Sequence, residues 1–359
     1  MKPSLACVST LTLCALLFSG ATAEAGDKKV VRRAPAEPRK EPWFPSVGSV
    51  IRLDPAIDAL IPTNAVIEKL ASGFGWAEGP VWIWRNHSIY FSDVPNNTIY
   101  EWNHRYDLNV YLKPSGNTGP KAGQGSNGLT LDNQGRLVLA QHGDRRIARL
   151  ESDGSFTTLA QYYKWNRFNS PNDLVYHSNG DLYFTDPPYG LNGGNKSPDK
   201  EIPFNGVYRV DKLGAVTLLE PELTYPNGIA FSPDEKTLYV AVSDSAKPAV
   251  MAYEVKVDGT LNVKTRRVFF DGAALAKAGA KGSPDGLKVD IHGNVWTTGP
   301  GGVLVLSPEG THLGTIDTGD LVANCAWGHD GTALYLTSNK DLCRIQTLTM
   351  GVGPGFQKK

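Results

Sequence analysis

The chain has 359 residues in which 36 Lys plus Arg balance 36 Asp plus Glu, so no net field draws it to nucleic acid or to an anionic membrane. Its 38 Gly and 24 Pro punctuate frequent aromatic and β-branched residues, the composition of a turn-rich all-β protein with ample apolar material for a core. A repeat that runs unbroken through most of this length argues for one large domain rather than two ordinary ones.

Residues 1–23 carry Lys2, an apolar run from Leu11 to Leu17, and small residues ending in Ala21-Thr22-Ala23 or Ala23-Glu24-Ala25. The run is too short to span a bilayer, so the segment reads as a cleaved export signal and the mature protein as secreted or periplasmic, with no membrane attachment. Leu13 is too bulky before Cys14 for a lipidation site. Loss of the signal leaves Cys325 and Cys343, which fall on the first and third strands of one predicted sheet and are expected as free, buried thiols without metal-ligand spacing. Residues 24–64 are charged and Pro-rich with no sustained period, and are expected to form a tether or a loose wrap.

The remainder, residues 65–350, is built on one pattern. Ser170 to Asp186 reads as a polar tripeptide (Pro171-Asn172-Asp173), a short apolar run, a Ser178-Asn179-Gly180 turn and a second run, which is a β-hairpin with polar groups at its mouth. The same grammar follows Glu78, Asn127, Asn227, Asp285 and Asn324. Copies about 40 to 60 residues apart are the signature of a β-propeller with four-stranded blades, here six. The blades are predicted at Glu78 to Lys113, Asn127 to Leu159, Asn172 to Leu219, Asn227 to Phe270, Asp285 to Ile316 and Asn324 to Leu348. The last copy supplies three strands, so Ala65 to Leu70 is expected to add the fourth and close the ring. A Gly-rich loop, Pro114 to Gly125, and a blade-three insertion, Pro187 to Asn205, both emerge on the tripeptide side, and Ala273 to Lys281 is the one helix-like stretch.

In a propeller the innermost strands line the central axis, so Glu78, Asn127, Asn172, Asn227, Asp285 and Asn324 form a ring, joined by the ends of the second strands at Asp93, His142, Asp186, Ser243 and Gly299. Carboxylate and amide oxygens converging on one axis suit Ca²⁺, with Mg²⁺ or Mn²⁺ as alternatives; His142 as sole nitrogen donor weighs against a typical zinc site. Asn-Gly and Asp-Gly are also ordinary turn chemistry, but Glu78 is a poor turn former at the equivalent place. His142 reads either as a hydrogen-bonded channel residue or as a substrate contact, Arg146 as a rim charge or a partner for a substrate hydroxyl or carboxylate, and Tyr189 as a stacking platform or loop packing. Trp76, Trp82 and Trp84 read as packing. No G-x-S-x-G elbow, P-loop or dinucleotide fingerprint occurs.

At WAEGPVW (76–82), SNGLTLD (126–132), SPNDLVY with YFTDPPYG (170–190), YPNGIAFS (225–232) and SPDGLKVD (283–290), the chain resembles the senescence-marker-protein/gluconolactonase (regucalcin-like) family, in particular its exported bacterial lactonases. The resemblance implies a divalent metal, Ca²⁺ foremost with Zn²⁺, Mn²⁺ or Mg²⁺ as alternatives, held by Glu78, Asn172, Asn227 and Asp285, with Asp285 also the general base. It implies Asn127 and His142 near the substrate and an enzyme that opens a small sugar lactone; the protein is separately expected to be a monomer. Relatives with the same cage that hydrolyse phosphotriester-like compounds, and a non-catalytic propeller scaffold, stand as the competing functions.

Overall fold

The computed structural model describes residues 44–120 and 123–353; the export-signal reading lies outside them. Six sheets of four or five strands form a six-bladed β-propeller with the expected blade limits. The inner strands are Ala77–Ile83, Ser126–Leu131, Leu174–Tyr176, Pro226–Phe231, Leu287–Val289 and Asn324–Gly328. Most second strands, such as Ser88–Asp93 and Leu182–Asp186, are buried along their whole length because both faces of each sheet are covered by a neighbouring blade. The core is accordingly a series of layers between blades. Val81 and Tyr90 of blade one pack with Leu129 and Leu139 of blade two, and Trp296 of blade five packs with Trp327 of blade six.

Ile67–Ser72 pairs antiparallel with Asp341–Gln346 and supplies the fourth strand of blade six. Arg344 to Glu68 and Lys69 to Asp341 bridge that seam, the latter at 2.6 Å. Cys325 and Cys343 are free and buried, each in register with Leu336 on the strand between them. The helix-like stretch is a short helix at Ala273–Lys277. An additional hairpin, Tyr162–Tyr163 with Asn166–Arg167, joins blades two and three.

Residues 44–64, the described part of the stretch read as a tether or loose wrap, are structured differently from that expectation. Ser46–Val47 adds a fifth strand to blade six and Ser49–Arg52 a fifth to blade five. Gly48 makes the crossing between them at φ +58°, where a Cβ would lie 1.8 Å from Asp317 O, a position no other residue can fill. A 3-10 turn at Pro55–Ala59 follows, with Asp54 Oδ1 accepting from Ala56 N–H at 2.8 Å. It turns Ile57 and Ile61 into the layer between blades five and six, beside Trp296 and Leu313. Ile57, Leu60 and Ile61 stand at i, i+3 and i+4, but one such turn, closed by Pro55 and Pro62, is too short to stand out as a sustained period.

Ile57 is fully buried whereas Ile51 is 44% exposed. Ile57→Ala is expected to lower the unfolding free energy by about 2–5 kcal/mol, as for other buried aliphatic truncations, while Ile51→Ala changes it little. Urea unfolding of the two variants checks this, and equal small effects would mean that the segment does not depend on its anchor.

Candidate active site

The ring of tripeptides is set by contacts between blades. Gly228 N–H donates to Asp285 O at 2.9 Å, and Gly128 N–H to Asn172 O at 2.7 Å. A Cβ on Gly228 would stand 2.1 Å from Asp285 O, and one on Gly286 would stand 2.0 Å from the Asn324 amide. Glycine follows the polar ring residue because the next blade's ring residue occupies the space of a side chain. Hydroxyls on second strands complete the clamp: Thr185 Oγ1 donates to Asn227 O at 2.6 Å and Ser92 Oγ to Asn127 O at 2.7 Å.

This clamp gathers Glu78, Asn127, Asn172, Asn227 and Asp285 around one cavity of about 640 Å³, with His142, Tyr189 and Ser243 on its wall. Trp76, Val94, Pro95, Leu321 and Val322 form an apolar side. Gln124, from the Gly-rich loop, also lines it. A second depression of about 660 Å³, between Tyr162–Trp165 and the outer strand of blade three, has no carboxylate or histidine on its wall and no orphaned polar atom, so chemistry is sought at the axis.

Several wall atoms are buried without any hydrogen-bond partner: Asn127 Oδ1, Asn227 Oδ1, Asp285 Oδ1 and His142 Nε2. Such atoms are costly unless something binds them, and three oxygens of this kind around one space fit a hard cation. Two carboxylates carry the charge and amides supply the rest, which is why the described residues contain no group of three or more His, Cys, Asp or Glu that could hold an ion. Asn127 presents the same kind of orphaned oxygen as Asn227, so the geometry does not separate its expected substrate role from a ligand role.

Burial raises the proton affinity of both carboxylates. Glu78 is pushed up to about 7, chiefly by desolvation, against a hydrogen bond from Gly79 N–H to Oε2 at 2.9 Å. Asp285 is pushed well above its usual range by burial and by the nearby Glu78 and Asp173 charges. His142 is pushed down to about 3 by burial, so its imidazole is neutral. With the Gln124 amide oxygen 2.7 Å from Nδ1, the proton sits on Nδ1 and Nε2 offers a lone pair to the cavity. Tyr189 stacks on Tyr225 with centroids 5.9 Å apart, and its phenol is held protonated by burial and by Asp285.

Tyr189 sits on an insertion that is firmly tied. Ser170 Oγ donates to Pro187 O at 2.6 Å, and Lys200 Nζ donates to Asn169 Oδ1, Phe204 O and Asn205 Oδ1 at 2.9–3.0 Å. Asp186, also pushed up to about 7 by burial, accepts from Asn169 and Ser170 N–H at 2.8 Å. Asp93 likewise accepts from Gly75 and Trp76 N–H. These two carboxylates staple the approach to the inner strands and stand behind the cage.

Two expectations are corrected by placement. Arg146 is not on the cavity wall: it lies on the third strand of blade two, its guanidinium held by Gln141 Oε1 at 2.6 Å, Thr158 Oγ1 at 2.9 Å and Asp144 Oδ2 at 3.1 Å. Asn324 keeps its ring position but not an oxygen for the cage. Its Oδ1 accepts from Cys325 N–H at 2.9 Å, so its Nδ2 donates to Glu78 Oε2 at 3.2 Å. Trp76 reaches the cavity although it reads as packing in the sequence; its position two residues before Glu78 was the available signal. Trp82 packs as expected, stacked on Tyr335.

A family model described as "SMP-30/Gluconolactonase/LRE-like region" matches residues 76–340. A gluconolactonase of Zymomonas mobilis is 36% identical over 85% of this chain and 88% of its own length. A pentonolactonase of Haloferax volcanii is 26% identical over 73% of this chain and 80% of its own. Among solved structures, a gluconolactonase of Xanthomonas campestris superposes with a TM-score of 0.75 at 30% identity, covering 86% of this chain and 99% of that one.

The buried carboxylates give the protein a pH signature. Because Glu78 and Asp186 hold their protons to about pH 7 in the fold but only to the ordinary carboxylate range when unfolded, the native state binds more protons between about 4.5 and 7, and stability falls as pH rises through that window. Urea midpoints of chelator-treated protein are expected to fall from pH 4.5 to 7, and Glu78→Gln to flatten part of the slope. A midpoint that rises across the window would contradict the placement of these carboxylates.

Proposed function

This chain belongs to the SMP-30/gluconolactonase/LRE-like family, and from that premise we propose that it is a hydrolase opening a sugar lactone of the aldonolactone type with a divalent cation at the axial cage. The carrying observation is the set of buried, unpartnered oxygens of Asn127, Asn227 and Asp285 around one cavity. Glu78, Asn172, Asn227 and Asp285 would hold the ion, with Ca²⁺ favoured by an all-oxygen donor set and Mg²⁺, Mn²⁺ or Zn²⁺ as alternatives. When bound, it supplies polarisation of the ester carbonyl and charge for the developing oxyanion.

The two carboxylates differ in a way that divides their work. Glu78 Oε2 accepts from Gly79 N–H and Asn324 Nδ2, donors that favour its charged form. Asp285 keeps Oδ1 unpartnered and has its proton affinity raised by burial and by two neighbouring carboxylates. That is the character a general base needs. Asp285 takes a proton from water as the water oxygen adds to the lactone carbonyl carbon. The ring C–O bond then breaks, and the same proton passes to the departing ring oxygen, leaving a hydroxy acid. His142 Nε2 and Asn127 Oδ1 accept from substrate hydroxyls, while the Tyr189 ring and Trp76 cover the apolar face of the sugar.

Chelator-treated protein is expected to lose turnover of 1,5- and 1,4-aldonolactones and to regain it with a divalent cation. Asp285→Asn, assayed at saturating cation, should lose about 10²–10⁴-fold in kcat, the usual contribution of a general base. Asn127→Ala should raise KM more than it lowers kcat. Full turnover by protein shown to be metal-free by elemental analysis would overturn the metal-dependent mechanism, and wild-type kcat in Asp285→Asn would overturn the base.

A further inference from the structure

Two residues of the inner strands depart from the repeat in opposite senses. The residue after the ring position is Gly79, Gly128, Gly228 and Gly286 in blades one, two, four and five and Cys325 in blade six, but the acid Asp173 in blade three. The residue three after the ring position is Val81, Thr130, Val175, Ala230 and Trp327 in the other blades, but Lys288 in blade five. An acid where glycine is the rule and a base where small or apolar residues are the rule are each costly in a buried strand. The fold brings them together. Lys288 Nζ lies 3.8 Å from Asp173 Oδ2, donates to its neighbour's carbonyl, Leu287 O, at 2.9 Å, and reaches Asn324 Oδ1 at 3.4 Å.

Three oxygens from blades three, five and six therefore surround one ammonium. Asp173 is 3% exposed and its Oδ2 has no hydrogen bond, so Lys288 is the cation that compensates it. The same ammonium steadies Asn324 with its oxygen away from Glu78 and its amide hydrogens toward it. Once a bound cation displaces the protons that burial leaves on Glu78 and Asp285, these two acids, Asp173 and Lys288 would sum to two negative charges, the charge of one divalent ion.

We propose that the Lys288 ammonium is a built-in cation of the axis, standing in the oxygen-lined place between Asp173, Leu287 O and Asn324 that a second metal ion would otherwise fill. It limits the wild-type chain to the single ion of the cage and acts as a positioning residue for Glu78 through Asn324. The idea does not need the cage to be catalytic, and it is testable without substrate.

The experiment counts Ca²⁺ per chain by elemental analysis after dialysis, and follows melting with chelator and with Ca²⁺, for wild type, Lys288→Ala and the pair Lys288→Met with Asp173→Asn. Lys288→Ala is expected to hold one more Ca²⁺ per chain than wild type, to melt lower in chelator, and to recover more of its melting temperature with Ca²⁺ than wild type gains. The double variant, which removes both charges, should keep the wild-type count. An unchanged count in Lys288→Ala overturns the proposal, as does a variant that fails to fold even with Ca²⁺ present, because the oxygens left behind should then have been refilled. A wild type with no ion and a Lys288→Ala with one would remove the metal-dependent reading of the cage while leaving the role of Lys288 intact.

Discussion

The close approach of neighbouring blades at the tripeptides governs the rest of the molecule. Where Gly228 meets Asp285 O and Gly79 meets Asn127 O, a Cβ would stand 2.1 Å from an oxygen, so each ring residue is located by the backbone of the blade before it. Amide-to-carbonyl bonds and second-strand hydroxyls take up the backbone carbonyls, leaving the side-chain oxygens Asn127 Oδ1, Asn227 Oδ1 and Asp285 Oδ1 without a structural partner. A chain closed by Ile67–Ser72 on Asp341–Gln346 cannot relax this spacing one blade at a time. Rigidity of the whole ring is thus what keeps unpartnered oxygens facing one another.

That arrangement opposes stability. Buried polar atoms without partners and carboxylates stripped of water both favour collapse or protonation. The fold offsets them by packing: an aromatic or aliphatic layer lies between every pair of blades, and Ile57 and Ile61 extend the layer beside the seam of blades five and six. It also keeps two further carboxylates out of the cage. Asp93 and Asp186 receive backbone N–H groups from the segments just before the inner strands, so their oxygens are occupied in holding Trp76 and Ser170 in place.

The blades, the closing strand and most of the cage were legible because they repeat. Glu78, Asn172, Asn227, Asp285, Asn127 and His142 stand at equivalent ends of strands whose alternation is plain, and the structure brings all six to one cavity. What escaped was set by contacts without period. The segment from Ser46 to Ile61 is anchored by a glycine crossing and by Ile57, Leu60 and Ile61, a single apolar turn that follows a charged, Pro-rich stretch and is too short to show a sustained period. Arg146 resembled a rim charge by its proximity to His142, yet its strand carries it to Gln141 and Asp144 on the blade itself. The orientation of Asn324 depends on which of its atoms meets the Cys325 amide, a choice no spacing encodes.

The departures from the repeat carry information of a different kind. Position by position, the repeat prefers an amide at the ring, a glycine after it and a small or apolar residue two further on. Glu78 and Asp285 replace the amide, Asp173 replaces the glycine and Lys288 replaces the apolar residue. All four lie at the axis, where a charge has least water, and selection for stability alone would favour the repeat's own residue at each. A charge retained there must be answered by another charge within reach: Lys288 stands 3.8 Å from Asp173 and acts on Glu78 only at longer range, while neither Glu78 nor Asp285 forms an ion pair among the described residues. The two acids outside any ion pair are the two that face the cavity, which is the distribution expected of a site whose missing charge arrives with what it binds.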